Sequence, residues 1–193
     1  MKKLLWIALA VPLFCGNTAS ALQLVSDENG KVVVSEPQLR IGELAPKITL
    51  TTPKFKRKSV GGAIGKVQII STIQSLCTTV CDQQTMLLND AAKRLKNVEI
   101  TLITADTPFV LGDFKTKHNP DRINLLSAFH NETFGNKYGV QVIGGELTGI
   151  LARSIFVVAA DGKVLYKEIP RNVNKMPNLA AAISAAEKAQ QAG

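Results

Sequence analysis

Two cysteines and two threonines are packed into one short stretch, Ser75-Leu76-Cys77-Thr78-Thr79-Val80-Cys81. A thiolate is both a nucleophile and a metal ligand, so C-x-x-x-C alone permits a structural disulfide, a metal pair or a redox pair. Context narrows the choice. The apolar run Val67–Ile73 precedes the stretch, and the helix-patterned segment Met86–Leu95 follows it. A buried strand is therefore expected to deliver the cysteines to the start of a helix. Unpaired N–H groups and the dipole at a helix N-terminus favour negative charge and bias a thiol there toward thiolate. This favours a redox site. Thr78 and Thr79 have a second use, since a threonine hydroxyl at that position caps the helix.

The surrounding elements follow from periodicity and turn chemistry. Leu22–Ser26 and Lys31–Ser35 flank Asp27-Glu28-Asn29-Gly30, an Asn-Gly hairpin signal. Ile48–Thr51 and Lys58–Val60 read as short strands, and nearly continuous apolar character makes Val67–Ile73 a central one. The helix after Cys81 is expected to reach about Lys96, with Val98–Thr104 the next strand. Pro108 opens a short helix carrying Phe109, Leu111 and Phe114. Ile123–Leu126 is a further strand. Asp161-Gly162 turns a second hairpin between Ile155–Ala159 and Val164–Glu168, and Leu179–Ala189 is helical. Strands alternating with helices, then a hairpin and a last helix, give a three-layer α/β domain with a mixed sheet. No second domain, repeat or long linker is evident.

The N-terminus has a different purpose. Lys2-Lys3, the apolar run Leu4–Cys15 and Ala19-Ser20-Ala21 form a secretory signal peptide with cleavage after Ala21. The run is too short for a comfortable membrane span. Bulky Phe14 before Cys15 fits a lipid-attachment site poorly. Cleavage leaves Cys77 and Cys81 as the only thiols of residues 22–193, in the oxidising compartment expected for an exported protein, the bacterial periplasm. The formal charge of +8 comes from scattered lysines, and the densest group, Lys54-Phe55-Lys56-Arg57-Lys58, reads as a solvated turn. No nucleic-acid motif accompanies it.

With these pieces placed, the chain resembles the bacterial thiol peroxidases, a branch of the peroxiredoxins with a thioredoxin-like fold. Gln74-Ser75-Leu76-Cys77-Thr78-Thr79-Val80-Cys81 is similar to the family's Pro-x-x-x-Thr-x-x-Cys segment. Thr104-Ala105-Asp106-Thr107-Pro108-Phe109 resembles its Ser-Ala-Asp-x-Pro-Phe. Leu126–Phe129, Tyr138-Gly139-Val140, Gly144–Leu147 and Leu151-Ala152-Arg153 follow in family order, and the N-terminal hairpin matches too.

The resemblance implies a peroxidatic role for Cys81, a hydroxyl partner in Thr78 and a site guanidinium in Arg153. It also implies a homodimer, no metal or organic cofactor, and a thioredoxin-like reductant, for an exported enzyme one supplied by a membrane reductase. The departures matter as much. Gln74 stands at the family's proline, Cys77 at its usual aspartate, Thr79 at its usual proline or glycine, and Lys115 at its resolving cysteine. Cys77 is then the resolving candidate within the chain. On one continuous helix the two Cα atoms would lie about 6 Å apart, within the disulfide range.

Three other readings are set against this one. A structural staple over so small a loop would contribute only about 2 kcal/mol in the chain-entropy model, which a domain of this size does not need. The cysteine pair also resembles that of Sco-type copper chaperones, where thiolates and an imidazole suit copper. His118 and His130, the only histidines, are expected at the surface on the far side of the third strand's connections. A thiol–disulfide oxidoreductase acting on proteins would show C-x-x-C and a cis-proline loop, and neither is evident. Arg153 opens an apolar strand, which favours a buried or pocket-facing role, and Asp106 is read first as the cap of the Pro108 helix.

Overall fold

The computed structural model describes residues 22–26 and 30–191. Residues 1–21, on which the expected signal peptide falls, Asp27, Glu28 and Asn29 of the expected hairpin turn, and residues 192–193 lie outside the described residues. Ten strands and four helices follow in the order β1 (Gln23–Val25), β2 (Lys31–Val34), β3 (Ile48–Thr51), β4 (Arg57–Val60), β5 (Val67–Thr72), α1 (Thr79–Ala91), β6 (Val98–Thr104), α2 (Pro108–His118), β7 (Asn124–Ser127), α3 (Glu132–Tyr138), β8 (Val142–Gly144), β9 (Ser154–Val158), β10 (Val164–Glu168) and α4 (Leu179–Gln191), counted among the described residues.

The main sheet has seven strands in the order β10-β9-β5-β6-β7-β3-β4. β5, β6 and β7 run parallel, while β9, β10, β3 and β4 are antiparallel to their neighbours. Every residue of β5 is buried, Gln68, Ser71 and Thr72 included, as expected of a strand covered on both faces. Alternation along each strand splits the core in two. Ile69, Ile100, Leu102, Ile155 and Val157 meet α1, α2 and α4 on one face. Ile70, Ile103, Phe156 and Val158 meet Phe134 and Tyr138 of α3 on the other. The result is the expected three-layer, thioredoxin-like α/β arrangement with a mixed sheet.

The N-terminal hairpin forms as expected, but it does not join the main sheet. β2 pairs instead with β8, a three-residue strand that periodicity alone did not mark, and the three strands cover a small core of Leu24, Val32, Val34 and Val142. Gly139 ends α3 in the left-handed region at φ 65°, and a Cβ there would stand 2.5 Å from the Gln38 Cα. Glycine is the residue this close turn accepts.

Two expectations change. α1 begins before Cys81 and stops at Ala91 rather than near Lys96, because Lys93 and Arg94 donate to carbonyls three residues back in tighter turns. The helix expected at Pro108 forms. Pro108, Leu111 and Phe114 share the buried face of α2, while Phe109 lies on the opposite side and packs edge-on to Phe55, ring centroids 4.9 Å apart. The basic cluster is a turn only at Lys54 and Phe55. Arg57 and Lys58 belong to edge strand β4, and Lys58 pairs with Glu99 at 3.2 Å.

Candidate active site

Thr78 is the N-cap of α1, extended at φ −106° and ψ 142°, and its Oγ1 accepts the Cys81 N–H at 3.4 Å. Cys81 therefore sits in the first turn of the helix, among the amide groups that the sequence placed near it. Cys77 lies outside the helix, one residue before the cap. The picture of both cysteines on one continuous helix is thus corrected: an extended residue separates Cys77 from the first turn. Both are free thiols, Cys77 exposed and Cys81 buried.

The inward stripe of α1 is Cys81, Gln84, Thr85, Leu88 and Asn89, a helical repeat with polar members that are all satisfied. Thr85 Oγ1 donates to the Cys81 carbonyl at 2.7 Å, and Asn89 Oδ1 accepts from the Arg122 N–H at 3.0 Å. Gln84 uses both ends of its amide. Its Nε2 donates to Ser71 Oγ at 2.8 Å, and its Oε1 accepts from Arg153 Nη1 at 2.8 Å.

Arg153 directly precedes β9 and is only 2 % exposed. Its Nε donates to the Val173 carbonyl at 3.4 Å, and its Nη2 reaches Gln74 Oε1 at 3.3 Å and Cys81 Sγ at 3.2 Å. Among the described residues no carboxylate forms an ion pair with it. A buried guanidinium held by neutral oxygens carries an uncompensated positive charge, and unpaired buried charge is costly. A negatively charged Cys81 sulfur is the group in direct contact that would compensate it. The site is arranged to accept negative charge at that atom.

The loop entering α1 is held from outside. Asp106 Oδ1 accepts from Ser75 Oγ at 2.9 Å, and Oδ2 accepts from the Leu76 N–H at 2.7 Å and from Thr104 Oγ1 at 3.0 Å. Asp106 thus fixes the cysteine loop and does not cap α2, whose N-cap is Thr107 without a side-chain bond. Gln74, Gln84 and Asp106 are site residues in this sense. The first and last were visible in the sequence as a departure and a motif member. Gln84 went unmarked in the sequence, where its helical spacing from Cys81 is the signal that could have found it.

Cys77, Thr78 and Thr79 line a cavity of about 480 Å³ together with Asp82, Asp113, Lys117 and His118. His118 is therefore not remote from the cysteines, contrary to expectation, because it ends α2 where that helix faces the start of α1. His130 is exposed, its ring tilted at 59° to that of Phe129 with centroids 4.0 Å apart. Lys115 faces a different cavity, of about 600 Å³, with Lys54, Lys56, Arg57 and Lys58. Among the described residues no group of three or more His, Cys, Asp or Glu side chains is placed to hold a metal ion. The guanidinium against Cys81 Sγ also makes that sulfur a poor ligand for a cation.

A family model described as Redoxin matches residues 40–183, a span that contains every side chain of this site. A thiol peroxidase of Bacillus subtilis is 35% identical over 163 residues, covering 84% of this chain and 96% of the relative. A thiol peroxidase of Aquifex aeolicus is 33% identical over 154 residues, covering 80% and 90%. The crystal structure of a peroxiredoxin-like protein from Aquifex aeolicus superposes with a TM-score of 0.83 at 31% identity, covering 87% of this chain and 97% of that one.

Proposed function

The chain belongs to the redoxin family and, within it, to the bacterial thiol peroxidases, and from that premise we propose that it is a thiol-dependent peroxidase acting on hydrogen peroxide or small organic hydroperoxides. The observation that carries the reading is the buried Arg153 guanidinium, 3.2 Å from Cys81 Sγ and without a carboxylate partner among the described residues.

Cys81 is the peroxidatic nucleophile. Its thiolate attacks one peroxide oxygen, the O–O bond breaks, and the distal oxygen leaves as hydroxide or alkoxide and takes up a proton. The sulfur becomes sulfenic acid. Arg153 supplies fixed positive charge and rigid donors where negative charge moves from sulfur to oxygen. Thr78 Oγ1 already accepts the Cys81 N–H, which leaves its own O–H free to donate to the peroxide. Cap and chemistry are compatible in one hydroxyl.

Cys77 is the resolving thiol, condensing with the sulfenic acid to a disulfide and water. Its place before the cap means that the first turn of α1 opens as the bond forms. A thioredoxin-like dithiol then reduces the disulfide, in an exported enzyme one presented by a membrane reductase. Residues 1–21 direct export to the periplasm, and the mature chain forms a homodimer.

The test is peroxide consumption by the mature protein with a dithiol reductant, beside metal analysis of the same sample. Turnover independent of metal content and abolished in Cys81→Ser is expected. Turnover that follows bound copper, or that survives Cys81→Ser, would overturn the reading.

A further inference from the structure

The cavity beside Cys77 holds a second set of groups that the peroxide step leaves unused. His118, the last residue of α2, turns its Nδ1 toward Asp82 Oδ1 at 3.6 Å. That oxygen is buried and has no hydrogen-bond partner. A buried carboxylate oxygen without a donor is costly, and the His118 Nδ1–H is the donor facing it. The imidazole is held flat against Phe114, ring centroids 4.5 Å apart at 21°. Its orientation is therefore set on one side by a ring and on the other by a carboxylate. With Nδ1 carrying the proton toward Asp82, the other ring nitrogen is the basic one.

Cys77 lines the same cavity. We propose that His118, oriented by Asp82, is the base that takes the thiol proton of Cys77 and makes it the attacking thiol of the disulfide-forming step. The proposal rests on the peroxidase reading for that step, though not for the activation of Cys77 itself. Cys77 S–H gives its proton to the second nitrogen of His118. The sulfur's electron pair forms the S–S bond to oxidised Cys81, the S–O bond breaks, and the departing hydroxide takes up the proton to leave as water. No outside oxidant or reductant enters the step.

The charged and titratable neighbours of the imidazole are Asp82 on α1, Asp113 and Lys117 on α2, and Cys77 on the entering loop.

The test separates this proposal from the peroxidase reading by using no peroxide. In a Cys81→Ser background the remaining described thiol is Cys77, and its alkylation by iodoacetamide is followed from pH 5.5 to about pH 9.5. His118→Gln is expected to slow alkylation at least ~10-fold at neutral pH, with the difference closing at the alkaline end where hydroxide removes the proton. Lys117→Gln removes a cation from the same cavity and is expected to leave the profile in place. A His118→Gln profile identical to its parent, or an equal effect from Lys117→Gln, would overturn the proposal. In the wild-type background, a peroxide pulse read by mass spectrometry adds the second arm. His118→Gln should leave sulfenic acid formation on Cys81 unchanged while slowing the Cys77–Cys81 link by a similar factor, and an unslowed link would also overturn it.

Discussion

Arg153 Nη2 donates to Gln74 Oε1 at 3.3 Å, so the glutamine that replaces the family's proline holds the same nitrogen that reaches Cys81 Sγ. Arg153→Met keeps bulk and removes the charge and all donors. It should slow peroxide oxidation of Cys81 by about 10²–10³-fold, the usual loss for a preorganised donor at a site of developing charge. Gln74→Ala removes one neutral acceptor and should cost far less, about 3–10-fold, in line with a net hydrogen bond of about 1 kcal/mol. Stopped-flow measurement of a single oxidation ranks the two, and the reverse order would mean that Gln74 has the larger role.

Gln84 shares its amide between Ser71 and Arg153. Gln84→Leu leaves the Arg153 Nη1 group buried without an acceptor and should destabilise the fold by about 1–3 kcal/mol, read from urea midpoints. Gln84→Glu should behave differently. A carboxylate would pair with the guanidinium and compete with the Cys81 sulfur for it, so oxidation should slow at least ~10-fold. Unchanged oxidation in Gln84→Glu would count against the sulfur as the partner of Arg153.

Cys77→Ser should leave the first oxidation of Cys81 fast, since Cys77 lies outside the helix and takes no part in holding Arg153. Sulfinic acid should then accumulate on Cys81 under excess peroxide, because no second thiol condenses with the sulfenic acid. Mass spectrometry after one equivalent of peroxide should find the intramolecular link in wild type. Intersubunit Cys81–Cys81 bonds alone would contradict that assignment.

The chain has two tyrosines, and both favour their neutral form in the fold. Burial raises Tyr138 well above the ordinary phenol range, and its O–H donates to the Pro46 carbonyl at 2.9 Å. Tyr166 is pushed up to about 12, by burial first and then by its hydrogen bond to Glu168 and that residue's charge. A phenol raised in the folded state adds stability that is full below its unfolded value of about 10 and is lost as pH rises through the folded value. Tyrosinate absorbance should therefore stay low through pH 10 in the native protein, while the urea-unfolded chain titrates there. Stability should decline from about pH 10 to about pH 12. A native titration near pH 10 would contradict both environments.

Much of the site was legible because its chemistry is local. The two cysteines, the capping threonine and the helix start all lie within one stretch, and Arg153 was marked by the resemblance of Leu151-Ala152-Arg153 to the family, with its place at the head of an apolar strand in support. The three-layer fold was legible from strand and helix periodicity. What escaped depended on partners distant in sequence. Gln84 reads as an ordinary helix polar residue until β9 brings Arg153 against it. β8 is too short for periodicity and exists because β2 supplies its partner. Asp106 precedes a proline-started helix and so reads as a cap, yet its carboxylate turns back to Ser75 and Leu76. His118 was misplaced because α2's length, which a pattern of apolar residues fixes loosely, determines where its last residue meets α1.

The Asp106 clamp gives the cysteine loop a fixed end and a free end. Ser75 and Leu76 are fastened to the end of β6, whereas beyond them the chain is retained by the Cys77 N–H on Ser75 Oγ and the Thr78 cap. Movement at Cys77 and Cys81 is thereby kept downstream of Leu76, like a latch swinging from a bolted hinge plate. The parallel strands behind it form a chassis that need not flex. If Cys77 links to Cys81 as proposed, only the first helical turn has to unwind and rewind, and the buried arginine can keep its station, ready at the same coordinates when the sulfur returns.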